Sequence, residues 1–436
     1  MVQFLELWQM YRWRHTIIFE KYQDYAAPLL ILGMIISLMV AAGLFTRWSL
    51  IVNFVVFNCI HWIIEDHYHI DNVLNNVAFI FLLAPKPKSL AVDAWLGGRR
   101  GDPRALVPGW FVVWIVIAMS LLYLDSVIYK INSELWTKGL AFWMPAAIPH
   151  FSLHRLPDWM EIAWLLKAPA YIAFSLETLF PLILFKRVRI AIIFVGMSLH
   201  VGIVTFLPIP LFGMTMVALY LMFLPIERLL PRRSSKDQIE DSATPDPVFM
   251  GKLVGGLGVT MFFCQVLLII APYLPWNQFL AGVFGLSRHP VFVDWHFRLQ
   301  SPILRFETTI DGQTVHLPSF DEKGYPDNKG RMWVYHNFIM RNDRRTIESL
   351  DQNLMDYLKG WFYQQNMDPI PIRVFYKDVR LRMEMDFDQD EQIEKQPWHF
   401  AGEVSFSEDH EPQFNWTPEF EARRRDAGAR IQEYRF

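Results

Sequence analysis

"LIVNFVVFNCIHWIIEDHYHIDNVLNNVAFIFLLAP", residues 50–85, decides the fold. Two apolar runs flank a polar junction that holds Glu65, Asp66, His67, Tyr68, His69 and Asp71. A bilayer-spanning helix needs about 20 mainly apolar residues. Paired runs of this kind therefore read as neighbouring membrane helices joined by a wet or functional turn.

The same pattern recurs on both sides of that stretch, up to about Tyr273, and stops beyond it. Candidate spans are Ala26–Ala42, Leu50–Ile64, Val73–Leu83, Trp110–Leu124, Leu165–Phe185, Ile190–Leu207, Leu211–Leu224 and Leu253–Pro272. Several are short, Val73–Leu83 most of all, so the expected total lies between seven and nine. The fold class expected is a polytopic α-helical membrane protein of about eight spans, followed by a small α+β extramembrane module. The expected division is an interfacial segment at residues 1–25, a helical domain at 26–273, a connection at 274–300, and a module with a charged tail at 301–436. The opening "MVQFLELWQMYRWRHTIIFEKYQDY" lacks the clean apolar core of a cleavable leader. It reads as an interfacial helix with Trp and Arg at headgroup depth.

The chain is 53% hydrophobic with a formal net charge of -3, which argues against a nucleic-acid partner. Its two cysteines, Cys59 and Cys264, lie in apolar runs and read as packing residues. Basic loops alternate along the chain: "FTRWS", "KPKSLAVDAWLGGRRGDPR", "FKRVRI" and "ERLLPRRSSK". The positive-inside rule puts these in the cytoplasm. The junction around His67, the segment Asp125–Trp136 and everything after Tyr273 then face outside. Arg12, Arg14 and Lys21 pull the other way, a conflict that a ninth segment at "LAFWMPAAIPHF" would remove. The localisation expected is a bacterial inner membrane with the module extracytoplasmic.

Beyond Arg298 the pattern changes. "ILRFETTIDGQTVHLPSF" reads as two strands around Asp311-Gly312. In "RTIESLDQNLMDYLKGWFYQQN", Ile347, Leu350, Leu354, Leu358 and Phe362 fall near helical spacing. "PIRVFYKDVRLRMEM" and "WHFAGEVSF" read as strands, the final "EFEARRRDAGARIQEYRF" as a solvated helix or a tail, and Ser234–Asp246 as a linker.

Ionisable groups at membrane depth are costly and are functional candidates by default. Lys130 reads either as a snorkelling interfacial lysine or as a partly desolvated general base. Glu177 and His200 read either as a pair stapling neighbouring helices, or as a proton route or the polar wall of a pocket for a lipid-soluble substrate. His67 and His69 stand in a turn, and their spacing with Asp66 and Asp71 follows no zinc pattern, so no metal is expected.

"YLDSVIYKINSELWTKGLAFW", residues 123–143, resembles the lysine-containing signature of the vitamin K-dependent gamma-carboxylases and of their wider relatives with an HTTM domain. "GLFTRWS", "EDHYHIDNVL", "LETLFPLILF", "SLHVGIVTF" and "ALYLMFLP" match other family stretches in the same order. The resemblance covers about residues 20–300. It implies a membrane enzyme in which Lys130 is the base toward reduced vitamin K or menaquinol. His67 would steady the resulting oxygen anion, and Trp136, Glu177 and His200 would line the cofactor pocket. Carbon dioxide and oxygen are the implied co-substrates, and a peptide glutamate or another substrate on the outer face receives the chemistry. The family's Asn-Asn before the histidine is Glu65-Asp66 here, which places carboxylates beside the proposed anion site. The alternative function is a non-enzymatic partner subunit or assembly factor whose C-terminal module docks another protein.

Overall fold

A computed structural model of the chain describes residues 1–12, 14, 18, 20–64, 69–85, 91–96, 108–147, 152–153, 156–207, 209–224, 246–270, 302–317, 367–378, 395–407 and 412–423, with scattered single positions elsewhere. The membrane half is built from α1 (Val2–Arg12), α2 (Gln23–Ala42), α3 (Thr46–Ile63), α4 (His69–Leu82), the short α5 (Val92–Leu96), α6 (Gly109–Ile131), the short α7 (Glu134–Thr137) and α8 (Trp143–Ala147), α9 (Ala163–Leu179), α10 (Lys186–Phe206), α11 (Pro210–Leu221) and α12 (Pro247–Ile270). A 3-10 turn, Phe180–Leu184, continues α9.

Each of the eight expected spans coincides with a helix. Among the described residues, five of these are long and apolar enough to cross a membrane: Gln23–Ala42, Gly109–Ile131, Ala163–Leu184, Lys186–Phe206 and Val248–Ile270. This is an integral membrane protein. The count of eight is not reached on length and apolarity, because Ile70–Leu82 and Pro210–Leu221 are shorter and α3 carries Arg47, Asn53, Asn58 and His61. Of the proposed ninth segment, Trp143–Ala147 is the helical part among the described residues, and no span is found there among them.

α6 lies at the centre of the bundle. It is apolar all round, and Phe111, Trp114, Ile115, Ala118, Met119, Leu121 and Leu122 are buried. The Trp114 indole donates to the Ile80 carbonyl at 3.1 Å, which sets the start of α6 beside the end of α4. Arg47 donates to the Leu82 carbonyl at 2.7 Å, so α3 begins at that same end. Asp93 on α5 caps α3 there, accepting from the Phe45 and Thr46 amides at 2.7 Å each and from the Thr46 hydroxyl at 2.9 Å. Amide side chains also bond across helices: Gln3 with Asn53 at 3.0 Å, and Asn58 with Asn75 at 3.1 Å. Such bonds hold helices together where apolar packing alone is no better than lipid. Cys59 and Cys264 are both free thiols.

Among its described residues the C-terminal half carries five antiparallel strands, β1 (Pro302–Ile310), β2 (Gln313–Leu317), β3 (Ile372–Asp378), β4 (His399–Phe406) and β5 (Pro412–Trp416), in the order β2-β1-β3-β4-β5. Asp311 and Gly312 both take positive φ, 50° and 76°, as a two-residue hairpin of this twist requires. One face of the sheet is apolar: Leu304, Phe306, Ile372, Val374, Tyr376 and Val404 are buried, and so are Leu354, Leu358, Phe362 and Phe420. Leu354, Leu358 and Phe362 are helical and four residues apart, as their spacing suggests. Ile347, Leu350, Val379, Leu381 and most of the charged tail and the linker lie outside the described residues.

Candidate functional site

α6 does not stop at Leu124. It runs on through Asp125 and Lys130 to Ile131. The polar segment expected beyond the span, Asp125–Trp136, therefore begins as the last two turns of α6, and Asp125 and Lys130 are both buried. The chain stays inside the protein afterwards: Leu135, Trp136, Leu140, Ala141, Trp143 and Met144 are buried. Lys130 does not snorkel. Its side chain is 3% exposed, and its Nζ meets Glu177 Oε1 at 2.5 Å. Nζ also sits 4.1 Å from the centroid of the Trp136 ring, an arrangement in which the aromatic face attracts the cation.

Glu177 lies roughly 21 Å along α9 from Ala163, at ~1.5 Å per residue. The pair is thus well below the helix end, where Trp159 and Trp164 are exposed. Glu177 is 12% exposed, so its charge and that of Lys130 neutralise one another in a poorly solvated place. Its second oxygen, Oε2, is buried with no hydrogen-bond partner among the described residues.

Lys130, Trp136, Glu177 and His200 line one cavity of about 80 Å³. Most of its remaining wall is apolar, including Leu122, Ala170, Ala173, Leu199, Ile203 and Met216. Its volume is several times the ~10–15 Å³ that one water needs. An aromatic ring needs more, and Phe142, Leu199 and Ile203 are half-buried side chains of the wall. His200 is buried on α10, and neither ring nitrogen has a hydrogen-bond partner among the described residues. Its ring rests against Phe212 and Tyr220, with centroids 5.8 and 5.9 Å away.

Two glycines fix that geometry by letting α10 and α11 approach closely. A Cβ on Gly196 would lie 2.3 Å from the Tyr220 ring, and one on Gly213 would lie 2.8 Å from the His200 carbonyl oxygen. Tyr220 in turn shares a hydrogen bond of 2.9 Å with Tyr123, a further residue of the cavity wall. Tyr123 and Ser126 were missed as site residues. Their signal is spacing: Tyr123, Ser126 and Lys130 fall at i, i+3 and i+7, one face of a helix.

Of the five residues singled out from the sequence, four therefore meet around one cavity. The fifth, His67, lies outside the described residues, as do Glu65 and Asp66. Its neighbours Ile64 and His69 end α3 and begin α4, at the end of the bundle opposite Ile80 and Trp114. Lys130 lies toward that same end, because α6 starts beside Ile80 and ends at Ile131.

Compared with known families, residues 11–227 match the HTTM domain, so the chain carries that domain over this region. No curated protein and no solved structure matches.

Proposed function

We propose that this HTTM-domain protein is a membrane enzyme that binds a reduced quinone-type lipid in the cavity around Lys130 and removes a proton from it. One observation carries the reading: a lysine and a carboxylate are paired within an apolar cavity whose polar atoms are not all met by the protein. Burying such a pair costs several kcal/mol of desolvation per ion, and apolar residues of similar volume would often hold a bundle at least as well. Ionisable groups retained in that position suit chemistry.

The lining suits a hydroxylated ring with an apolar tail, and in this reading the half-buried Phe142, Leu199 and Ile203 turn to make room for it. Leu122, Ala173 and Met216 suit the ring, while Glu177 Oε2 and the His200 nitrogens are polar atoms without partners beside it. The HTTM domain occurs in the vitamin K-dependent carboxylases, and their chemistry supplies the sharpest form of the reading. A reduced quinone, once deprotonated, uses oxygen to generate the base that allows carbon dioxide to add to a peptide glutamate. The protein's own part is to bind the ring, keep water from it, and hold the proton it gives up. In this reading a peptide or other substrate approaches from the outer face, in a bacterial inner membrane, with the C-terminal module on that side.

A second reading rests on the same pair. A lysine fixed by a carboxylate also staples α6 to α9, which a non-enzymatic subunit with a docking module would use. The two readings separate on bound lipid and on Lys130. The protein is purified in mild detergent, its lipids are extracted, and quinones are identified by mass spectrometry. The enzyme reading expects a co-purified quinone whose reduced form is consumed by wild type and not by Lys130→Ala. Absence of any quinone, with cellular function unchanged in that variant, supports the second reading and ends the first.

A further inference from the structure

We propose that Glu177, through Oε2, is the group that takes the proton from a hydroxyl bound in this cavity, while Lys130 remains beside it as a fixed cation. This deepens the reading above and rests on it.

Lone pairs decide which of the two groups can take up a proton. Lys130 Nζ and Glu177 Oε1 are hydrogen-bonded at 2.5 Å, with one proton between them. If that proton sits on nitrogen, the amine is an ammonium with no lone pair. If it sits on oxygen, the nitrogen lone pair is spent accepting it, and a proton arriving at Oε2 returns the first one to nitrogen, so the end state is the same. Lys130 has no free base site in either case. Glu177 Oε2 does: it is buried, without a partner among the described residues, and its side chain lines the cavity. A ligand hydroxyl placed there would donate to Oε2 and lose its proton to that oxygen. Glu177 then becomes a neutral acid, Lys130 stays an ammonium, and the ligand carries one negative charge. The net charge of the three groups is zero before and after. The new anion faces a cation already held over the Trp136 ring, so no charge has to move into place during the transfer.

The arrangement also restricts the ligand class. Lys130 is already neutralised, so an anion such as a carboxylate or phosphate would have to displace Glu177. A neutral molecule with an acidic hydroxyl on an aromatic ring needs no displacement.

Para-nitrophenol is a suitable probe, because its ionised form alone absorbs visible light. Protein in nanodiscs is equilibrated with it in buffer below the phenol's own pKa, with empty nanodiscs as the blank. Binding is measured by equilibrium dialysis and ionisation by the phenolate band. Lys130→Arg keeps the positive charge and the ion pair, yet a guanidinium cannot act as a base. Glu177→Gln removes the acceptor and leaves the amine free. The inference expects binding with a phenolate band in wild type and in Lys130→Arg, and loss of that band in Glu177→Gln at equal bound phenol. A bound but colourless phenol in Lys130→Arg, or a retained band in Glu177→Gln, overturns it and returns the role of base to Lys130, leaving the cavity reading intact. No saturable binding by wild type overturns both. Should Glu177→Gln not survive purification, Lys130→Arg decides alone, since its pair is preserved.

Discussion

A buried ion pair is most costly when half of it is removed. Lys130 is 3% exposed, and Glu177 sits against it with one oxygen already lacking a partner. Lys130→Met therefore leaves a carboxylate in an apolar cavity, and a loss of about 3–5 kcal/mol is expected. Lys130→Met combined with Glu177→Leu removes both charges and fills the space with apolar atoms, so most of that loss should return. Unfolding followed by tryptophan fluorescence in detergent measures both variants. If the double variant is as unstable as the single one, the cavity relies on the pair for its shape, and the pair's cost is not explained by chemistry. That result would favour the structural reading of Lys130 over the catalytic one.

At the scale of elements, the ends of helices are set by contacts distant in sequence. α3 begins after Phe45 because Asp93, from a five-residue helix far along the chain, accepts its first amides. The hydrogen bond from the Thr46 amide, followed by those from its hydroxyl and from Phe45, holds the Asp93 carboxyl below the usual carboxylate range against the opposing effect of burial. Because the folded value is depressed, this contribution to stability is present above the unfolded value of about 3.9 and is lost as pH falls through the folded one. Asp93→Asn offers one accepting oxygen in place of two. It should lower the unfolding temperature at neutral pH and flatten its decline in acid, and parallel acid declines for the two proteins would refute the assignment. The same distance in sequence explains what could and could not be read from it. Lys130, Glu177 and His200 stood out because charge within an apolar run is rare, and Trp136 because it follows Lys130 closely. Asp125 and Lys130 were placed beyond the end of their helix because charges normally mark a turn, and only the partner on α9 shows why the helix continues. Tyr123 was invisible because tyrosine is ordinary in a membrane helix, and its bond to Tyr220 crosses between helices. β5, "PQFNW", is a five-residue edge strand beginning with proline, too short for alternation to reveal.

The arrangement of the whole molecule in the bilayer turns on one short helix. α11 is about 18 Å long at ~1.5 Å per residue, against a hydrocarbon core of about 30 Å. It returns along α10 after a tight turn at Leu207–Ile209, and the close approaches at Gly196 and Gly213 bind the two into a hairpin. The basic run "ERLLPRRSSK" follows it, and the positive-inside rule places that run in the cytoplasm. The hairpin and the charge rule together predict that α11 crosses, aided by the turn Met222–Leu224 at its end. With α11 as a crossing, four crossings, α9 to α12, would separate Trp159 from the hairpin of β1 and β2 and put the two on one side. Trp95, at the end where Asp93 caps α3, lies on the other. The positions are 68%, exposed and 79% exposed for Trp159, Thr314 and Trp95 respectively, so single cysteines there are reachable once Cys59 and Cys264 are replaced by alanine. A membrane-impermeant maleimide applied to intact cells should label Trp159→Cys and Thr314→Cys and spare Trp95→Cys until the cells are opened. Labelling of Trp159→Cys without Thr314→Cys would mean that α11 turns back inside the membrane. The sheet module would then face the cytoplasm, and a substrate held by it could not reach the Lys130 cavity from the outer side.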